Sequence, residues 1–590
     1  MIRVSCCAKW GVTMTLVKLF FFALSTLGTF ELLRLAGRDR IQTHFLPSLT
    51  IAVQVSVLFL AGLWNLLPEA AGILYLLGFF GLFLLVVREK SLNFLRKYAD
   101  FGYAALLMIL MGSALAVKGK MFLQYDNFSH WALVVREMLR FDRFPNFADT
   151  LIHFQEYPLG SAAYIYYFAH WVGTTEPLQM LAQAYAIAAA ILPLFSRATG
   201  RKPLCCAALL GFAWFVFDYN TAITDLLVDT LLPMVGMCAL LFAVTHCKEG
   251  CGKFALFCAA CYSVWLVQIK NSGIFFLLPI VLVIVPYAHR QKAWGACAPV
   301  LLAPLVSLVL WQKHCAYVFP AAASTTHAMT LSNYQATLQG KSAEEIFTIC
   351  RSFLTFALTY RGLWLTVVFC GILGGLVFLL NRPMRKDFIR IALFSAGLYL
   401  VYQLGNLGMY LLSMPTVQAL RLGGVERYTK TVLLAILYLN MLPMLRLISD
   451  TPVKSRALAL TAGFLVTLFA FLYLNLGSLE AIFQGREDPA KRQWLESVRV
   501  EYGLPKGESY RVLLPAEAAN DHGYTYVLTR YTFRSNSVQV LTEDDLGSLS
   551  ADDANFLLIY GTQSPSVSAW VRTHYPDQSD RPVVNLWMGK

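Results

Sequence analysis

The residues best suited to chemistry lie in one polar stretch, 125–158, which reads YDNFSHWALVVREMLRFDRFPNFADTLIHFQEYP. It follows an apolar run at 102–118 and carries Asp126, His130, Arg136, Glu137, His153 and Glu156 before closing on Tyr157-Pro158. A carboxylate held just beyond the end of a membrane span, against apolar surface, can take the proton of an incoming hydroxyl or amine. Asp126 occupies that place. The competing role is a helix N-cap, because Asp126 precedes a helical-looking segment at 128–139 and Asp is a favoured cap. Phe128, His130 and Trp131 set a titratable imidazole and aromatic rings within a turn of the carboxylate. His130 would orient Asp126 or contact an acceptor, with packing against Trp131 as the alternative. His153 and Glu156, three apart, would share a face if their segment is helical, for metal ligation or sugar hydroxyls, a solvated face being the bland reading. Together with Tyr157 they are the acceptor-side candidates.

The surrounding elements are of membrane length. The chain has 590 residues, 57% hydrophobic and only 14% charged, against about a quarter charged in soluble proteins. Apolar runs near the ~20 residues that cross a bilayer recur throughout. They predict an α-helical polytopic membrane protein with about 13–14 spans: 12–35, 45–67, 70–87, 101–118, 177–195, 203–218, 226–246, 254–269, 272–287, 294–312, 362–380, 388–411, 430–448 and 456–477. The first is longer than a signal-peptide core and reads as retained. Clusters at Arg88–Lys97, Arg197–Lys202, Lys248–Lys253, His289–Lys292, Arg382–Lys386 and Arg446–Arg456 then mark the cytoplasmic loops. This threading sends 119–176, 219–225, Lys270-Asn271, 313–361, 412–429 and the C-terminal tail outside, along with the N-terminus. The net charge of +13 is accounted for by basic loops, and nucleic-acid binding is not expected.

The tyrosine-rich run 159–173 has the composition of an aromatic belt and reads as an interfacial or re-entrant helix. The whole of 119–176 is then an external cap of amphipathic helices. Beyond about 483 the composition changes: 485–590 has no Cys, 11 basic and 14 acidic residues. Short β-rich runs at 510–514, 524–533, 537–541, 556–560 and 583–587 predict a small external α/β domain. Three parts follow: accessory helices at 1–99, a catalytic membrane module at 100–483 and the tail domain at 484–590. Most of the thirteen cysteines lie in apolar runs and act as small hydrophobes. Cys247, Cys251, Cys258 and Cys261 have a ligand-like spacing but sit largely in a span, and Cys315 and Cys350 flank an external loop, where unpaired thiols are the expectation over a disulfide.

Asp225 and Asp229 lie one helical turn apart at an outer span end, to cap it or to line a cavity. An acid after an early span, an external helical loop and a Tyr-Pro entry to an aromatic helix together resemble the GT-C superfamily, polytopic glycosyltransferases that use polyprenyl-phosphate donors and include protein O-mannosyltransferases and aminoarabinose transferases. Thr224-Asp225 through Asp229-Thr230, Lys270-Asn271-Ser272-Gly273, and Arg421 with Glu426-Arg427-Tyr428 are similar to further parts of that pattern, over about 100–480. The resemblance implies inverting transfer of a sugar from a polyprenyl-phosphate-linked donor to a glycan, lipid or protein acceptor of the cell envelope, at the outer face of the plasma membrane. Asp126 would be the base, and Arg421, Arg427, Lys270 and Arg361 would bind the donor phosphate, each having interfacial snorkelling as its alternative. Asp225, Asp229, Glu426 and Tyr428 would shape the cavity. The family often shows two adjacent acids in the first loop, whereas Asn127 follows Asp126 here. No cofactor is implied with certainty, and use of a divalent metal stays open. A flippase or polymerase using the same carrier, and a non-catalytic envelope assembly protein, are the competing functions.

Overall fold

The computed structural model describes residues 2–89, 96–247, 252–319, 331–450, 488–549, 554–579 and 581–586. The expected span 456–477 lies outside the described residues. The chain divides into two compact units, a membrane unit (1–120, 138–144 and 155–485) and a C-terminal unit (121–137, 145–154 and 486–590).

In chain order the helices up to residue 450 are α1 (Ile2–Ala36), α2 (Leu46–Leu63), α3 (Leu67–Glu89), α4 (Phe101–Val117), α5 (Tyr125–Ser129), α6 (Trp131–Phe141), α7 (Gly160–Val172), α8 (Glu176–Ile191), α9 (Lys202–Tyr219), α10 (Leu231–His246), α11 (Lys253–Ile269), α12 (Gly273–Arg290), α13 (Trp294–Val318), α14 (Leu331–Gln339), α15 (Ala343–Thr359), α16 (Arg361–Leu380), α17 (Arg385–Leu412), α18 (Thr416–Leu420) and α19 (Val425–Asp450). Among the described residues ten helical stretches are long and apolar enough to cross a membrane, and α4, α10 and α11 are shorter apolar helices. One of the ten joins α15 and α16 across Tyr360. The sequence reading placed α15 in an external loop. Its row Ile349, Phe353 and Ala357 packs on Tyr410, Met414, Ala419 and Val425, while Ser342 and Glu345 close a capping box at its start.

Contacts sort the helix ends of the membrane unit. At one end Arg197 donates to the Thr245 hydroxyl at 3.1 Å, Arg201 to the Ile448 carbonyl at 3.2 Å, and Arg446 pairs with Asp387 at 3.3 Å. These contacts bring the ends of α8, α10 and α19 and the start of α17 together, next to four of the six basic clusters read from sequence. At the other end α9 finishes at Tyr219, α11 at Ile269 and α19 begins at Val425.

Helix α1 is tied to α3 through glycines. A methyl group on Gly28 would meet the Gly78 carbonyl oxygen at 1.8 Å, and one on Gly78 would meet the Ser25 carbonyl at 2.2 Å. The Ser25 hydroxyl bonds the Tyr75 carbonyl at 2.8 Å across the same contact. Without a hydrophobic force between helices in lipid, such close backbone approach carries the association. Gly78→Val is therefore expected to destabilise the membrane unit by about 1–3 kcal/mol through overpacking, read as a lowered melting temperature in detergent; an unchanged melting temperature would mean that α1 does not pack here.

Of the two sequence readings of α7, interfacial or re-entrant, its burial argues against the interfacial one. The helix is 13 residues long, about 20 Å, so it does not span. Yet it is no surface helix: Tyr164, Tyr166, Tyr167 and Phe168 are all buried. Tyr167 and Phe168 pack on Phe22, and Trp171 stacks on Tyr75 with ring centres 4.1 Å apart. Tyrosines enter such a core when their hydroxyls find acceptors, as Tyr166 does on the Asp142 carboxylate at 2.8 Å.

In the C-terminal unit, α20 (Ala490–Glu501) precedes β1 (Tyr510–Leu513), α21 (Ala516–Ala519), α22 (Tyr524–Phe533), β2 (Val538–Leu541), β3 (Phe556–Ile559), α23 (Pro565–His574) and β4 (Val583–Asn585). The sheet order is β2-β1-β3-β4, parallel except for β3 with β4. The run 524–533, read as a strand, is a helix. Its β-branched and aromatic residues favour strands, but it lies between β1 and β2. Parallel neighbours need a crossover, normally a helix.

Candidate functional site

Four of the sequence candidates converge at the end of the membrane unit where α9, α11 and α19 meet. The loop after α9 is fixed first. Asn220 donates its amide to the carbonyls of Asp229 (3.3 Å) and Arg427 (3.1 Å) and to the Thr431 hydroxyl (3.2 Å). Asp225 accepts the backbone N–H groups of Ala222 (2.9 Å) and Leu227 (3.0 Å), a side-chain turn of the kind Asp favours. Gln183 donates to the carbonyls of Asp225 and Leu227. So Asp225 organises the loop that carries Asp229.

Asp229 is buried and accepts from the Lys270 ammonium at 2.9 Å, with the Arg427 guanidinium at 3.5 Å. Burial pushes its carboxyl up, but Lys270 and Arg427 together hold it below the usual carboxylate range. The Tyr428 ring lies 5.0 Å from the Lys270 ammonium and 5.6 Å from the Arg427 guanidinium, within cation–π reach. Lys270 stands in extended backbone between α11 and α12. Gly273 makes that turn possible, because a methyl group there would meet the Leu266 carbonyl at 2.2 Å. Lys270 and Arg427 share this one carboxylate. The side chains are 3% exposed for Asp229, 18% for Lys270 and 28% for Arg427, so the open side of the cluster is cationic. That arrangement suits an anion of phosphate type.

The remaining cation candidates behave differently. Arg421 follows α18 and Arg361 opens α16, both exposed. Glu426 pairs with Lys430 at 2.8 Å and accepts from the Tyr360 hydroxyl at 3.3 Å. Sequence reasoning missed Asn220 and Thr431. A polar pair at the ends of two apolar helices was the available signal.

The acid and imidazole candidates fall in both units. In the membrane unit the Glu156 carbonyl accepts from the Trp311 indole at 2.9 Å, burial pushes the Glu156 carboxyl up, and Tyr157 is half-buried. In the C-terminal unit Asp126 lies in the first turn of α5, whose N-cap is Gln124 rather than Asp126. The helix foreseen at 128–139 breaks at His130 (φ −150°). Phe128 packs on Tyr524 and Tyr531, Arg136 lies over the Tyr531 ring at 4.1 Å and donates to its carbonyl, and Arg530 donates to the Leu151 carbonyl at 3.2 Å. The loop residues 121–137 and 145–154 are thus built into the tail domain. No helix forms between Phe141 and Gly160, so the shared face anticipated for His153 and Glu156 does not arise. Pro145, Asn146 and Asp149 make turns instead, Asn146 donating its backbone N–H to Asp149 at 2.7 Å. His153 is exposed, and partial burial with nearby Arg530 lowers its imidazole pKa.

His130 is buried against Trp131 and Phe154, and burial pushes its imidazole down to about 3. Between the ordinary imidazole value of about 6.5 and that lowered value the unfolded chain binds the proton and the folded one does not. The stability of the C-terminal unit is therefore complete above pH 6.5 and falls as pH drops toward 3, by roughly 1.4 kcal/mol per unit from this group. His130→Phe is expected to flatten that slope in pH-dependent denaturation; a slope unchanged by the substitution would count against it.

Among the described residues no group of three or more His, Cys, Asp or Glu is placed to hold a metal ion. Cys258, Cys261, Cys315 and Cys350 are free thiols, Cys247 is buried, and Cys251 lies outside the described residues. No known family model matches the chain, and no characterised protein or solved structure matches it significantly.

Proposed function

We propose that this chain is a membrane glycosyltransferase that moves a sugar from a polyprenyl-phosphate-linked donor to an acceptor of the cell envelope. One observation supports this above the others: a buried carboxylate clasping two partly open cations, Lys270 and Arg427, at the ends of membrane helices. In this reading Asp126 takes the proton from the acceptor hydroxyl or amine. The acceptor atom bonds to the anomeric carbon, the carbon–oxygen bond to the phosphate breaks, and its electron pair stays on the phosphate. The charge gathering on that leaving group is what Lys270 and Arg427 stabilise, and preorganised charge aimed at developing charge is usually the largest catalytic term. Asp229 fixes the two cations before substrate arrives, so little reorganisation remains.

The test is the purified full chain in proteoliposomes carrying a polyprenyl-phosphate-linked radiolabelled sugar, with membrane extract as the acceptor source. Time-dependent transfer of label, lost in Arg427→Gln, is the expected result. Carrier flipping without any acceptor, and no transfer, would replace this reading with that of a flippase.

A further inference from the structure

The opposite end of the membrane unit holds a second cationic site. A cavity of about 610 Å³ opens where α1 ends, α10 ends and α11 begins, lined by Arg38, Arg40, Thr245, His246, Lys253 and Phe254 among others. Its size falls within the range of small-molecule pockets.

Among the described residues the charge lining this cavity is one-sided. Asp39 is the acid that chain order puts between Arg38 and Arg40, but it is drawn back to Arg34, which also holds Glu31 at 2.6 Å. Both Arg38 and Asp39 adopt left-handed backbone, with φ of 51° and 60°. The turn therefore spends its acid inside α1 and leaves its two arginines at the cavity. Neither Arg38, Arg40 nor Lys253 has an acidic partner among the described residues. His246 supplies no charge there. Its Nε2 accepts the Gln42 N–H at 3.2 Å and its Nδ1 faces the Phe242 carbonyl at 3.3 Å, the pattern of a neutral ring. Thr245 is engaged by Arg197, which ties the cavity to the basic end of the bundle. Gly37 keeps the turn tight, since a methyl group there would meet Ile41 at 2.8 Å and Phe254 at 3.3 Å. Ile41, Phe254 and Ala255 supply an apolar floor.

We propose that this cavity binds a phosphate-bearing anion at the membrane surface remote from the Asp229 cluster. The chemistry is that of an anionic phospholipid headgroup: two guanidinium forks and an ammonium for the phosphate, with apolar surface beneath for the start of an acyl chain. Basic pockets between membrane helices on the positively charged side recognise such headgroups. The site does not depend on the transfer reaction.

The experiment titrates the full chain in neutral detergent with fluorescent phosphatidylglycerol. Saturable binding is expected, weakened at least tenfold in Arg38→Gln/Arg40→Gln/Lys253→Gln and unchanged in Arg427→Gln. Melting temperature without lipid checks that the triple variant folds, and Lys253→Gln alone, expected to weaken binding about threefold, serves if it does not. Displacement by millimolar inorganic phosphate would identify a free phosphate as the ligand, and resistance to it a lipid. Equal binding of fluorescent phosphatidylcholine, or undiminished binding in the cavity variants, would overturn the site.

Discussion

Replacing Asp126 by Asn is expected to lower sugar transfer by about 10²–10⁴-fold, the usual span for loss of a general base. The substitution keeps the shape of the side chain and removes its basicity. Stability should change little, because the cap of α5 is Gln124 and Asp126 itself is only half-buried. The decisive pair of measurements is the transfer rate and the melting temperature of the same preparation. A folded Asp126→Asn protein that transfers at the parent rate removes Asp126 from the mechanism, while the cation cluster on Asp229 could still serve a different base.

The second large effect concerns Asp229. Asp229→Ala leaves Lys270 and Arg427 together without their shared carboxylate, and uncompensated buried charge costs about 3–5 kcal/mol. Because the two cations are 18% and 28% exposed, water screens part of that cost and the lower end is expected. In the parent, the ion cluster's contribution is fully present above the ordinary carboxylate value, is lost progressively as pH falls from there toward the lowered value, and is gone below it. Asp229→Ala should therefore melt several degrees lower at neutral pH and converge with the parent in acid. A double variant, Asp229→Ala with Lys270→Met, should recover part of the loss. Absence of recovery would mean that the cost comes from the loop backbone and not from unpaired charge.

Much of the fold was legible because apolar runs of fixed length permit few alternatives. The stretch 203–218 is helix Lys202–Tyr219, and 362–380 is Arg361–Leu380. Where periodicity competed with context, context won. The tyrosines of α7 read as belt residues, yet each is packed inside. Composition reports what a residue tolerates and not which neighbours arrive. The run 524–533 has strand propensity, but its position between two parallel strands makes it a helix. At the site, Lys270, Arg427, Asp229 and Tyr428 were individually visible as charged or aromatic residues at helix ends. Their meeting depends on Asn220, whose amide joins segments 207 positions apart, and no local pattern announces that. Arg421, ranked with Arg427 from sequence, is instead exposed beyond a five-residue helix.

The tail domain takes Phe128 and Arg136 as packing partners for Tyr531, nearly four hundred positions downstream. During synthesis, then, the segment bearing Asp126 emerges long before the surface that completes it. A ribosome must deliver the residues after 485 before that segment can settle, so a nonsense mutation near residue 485 would yield an inserted protein whose proposed base never acquires its native surroundings.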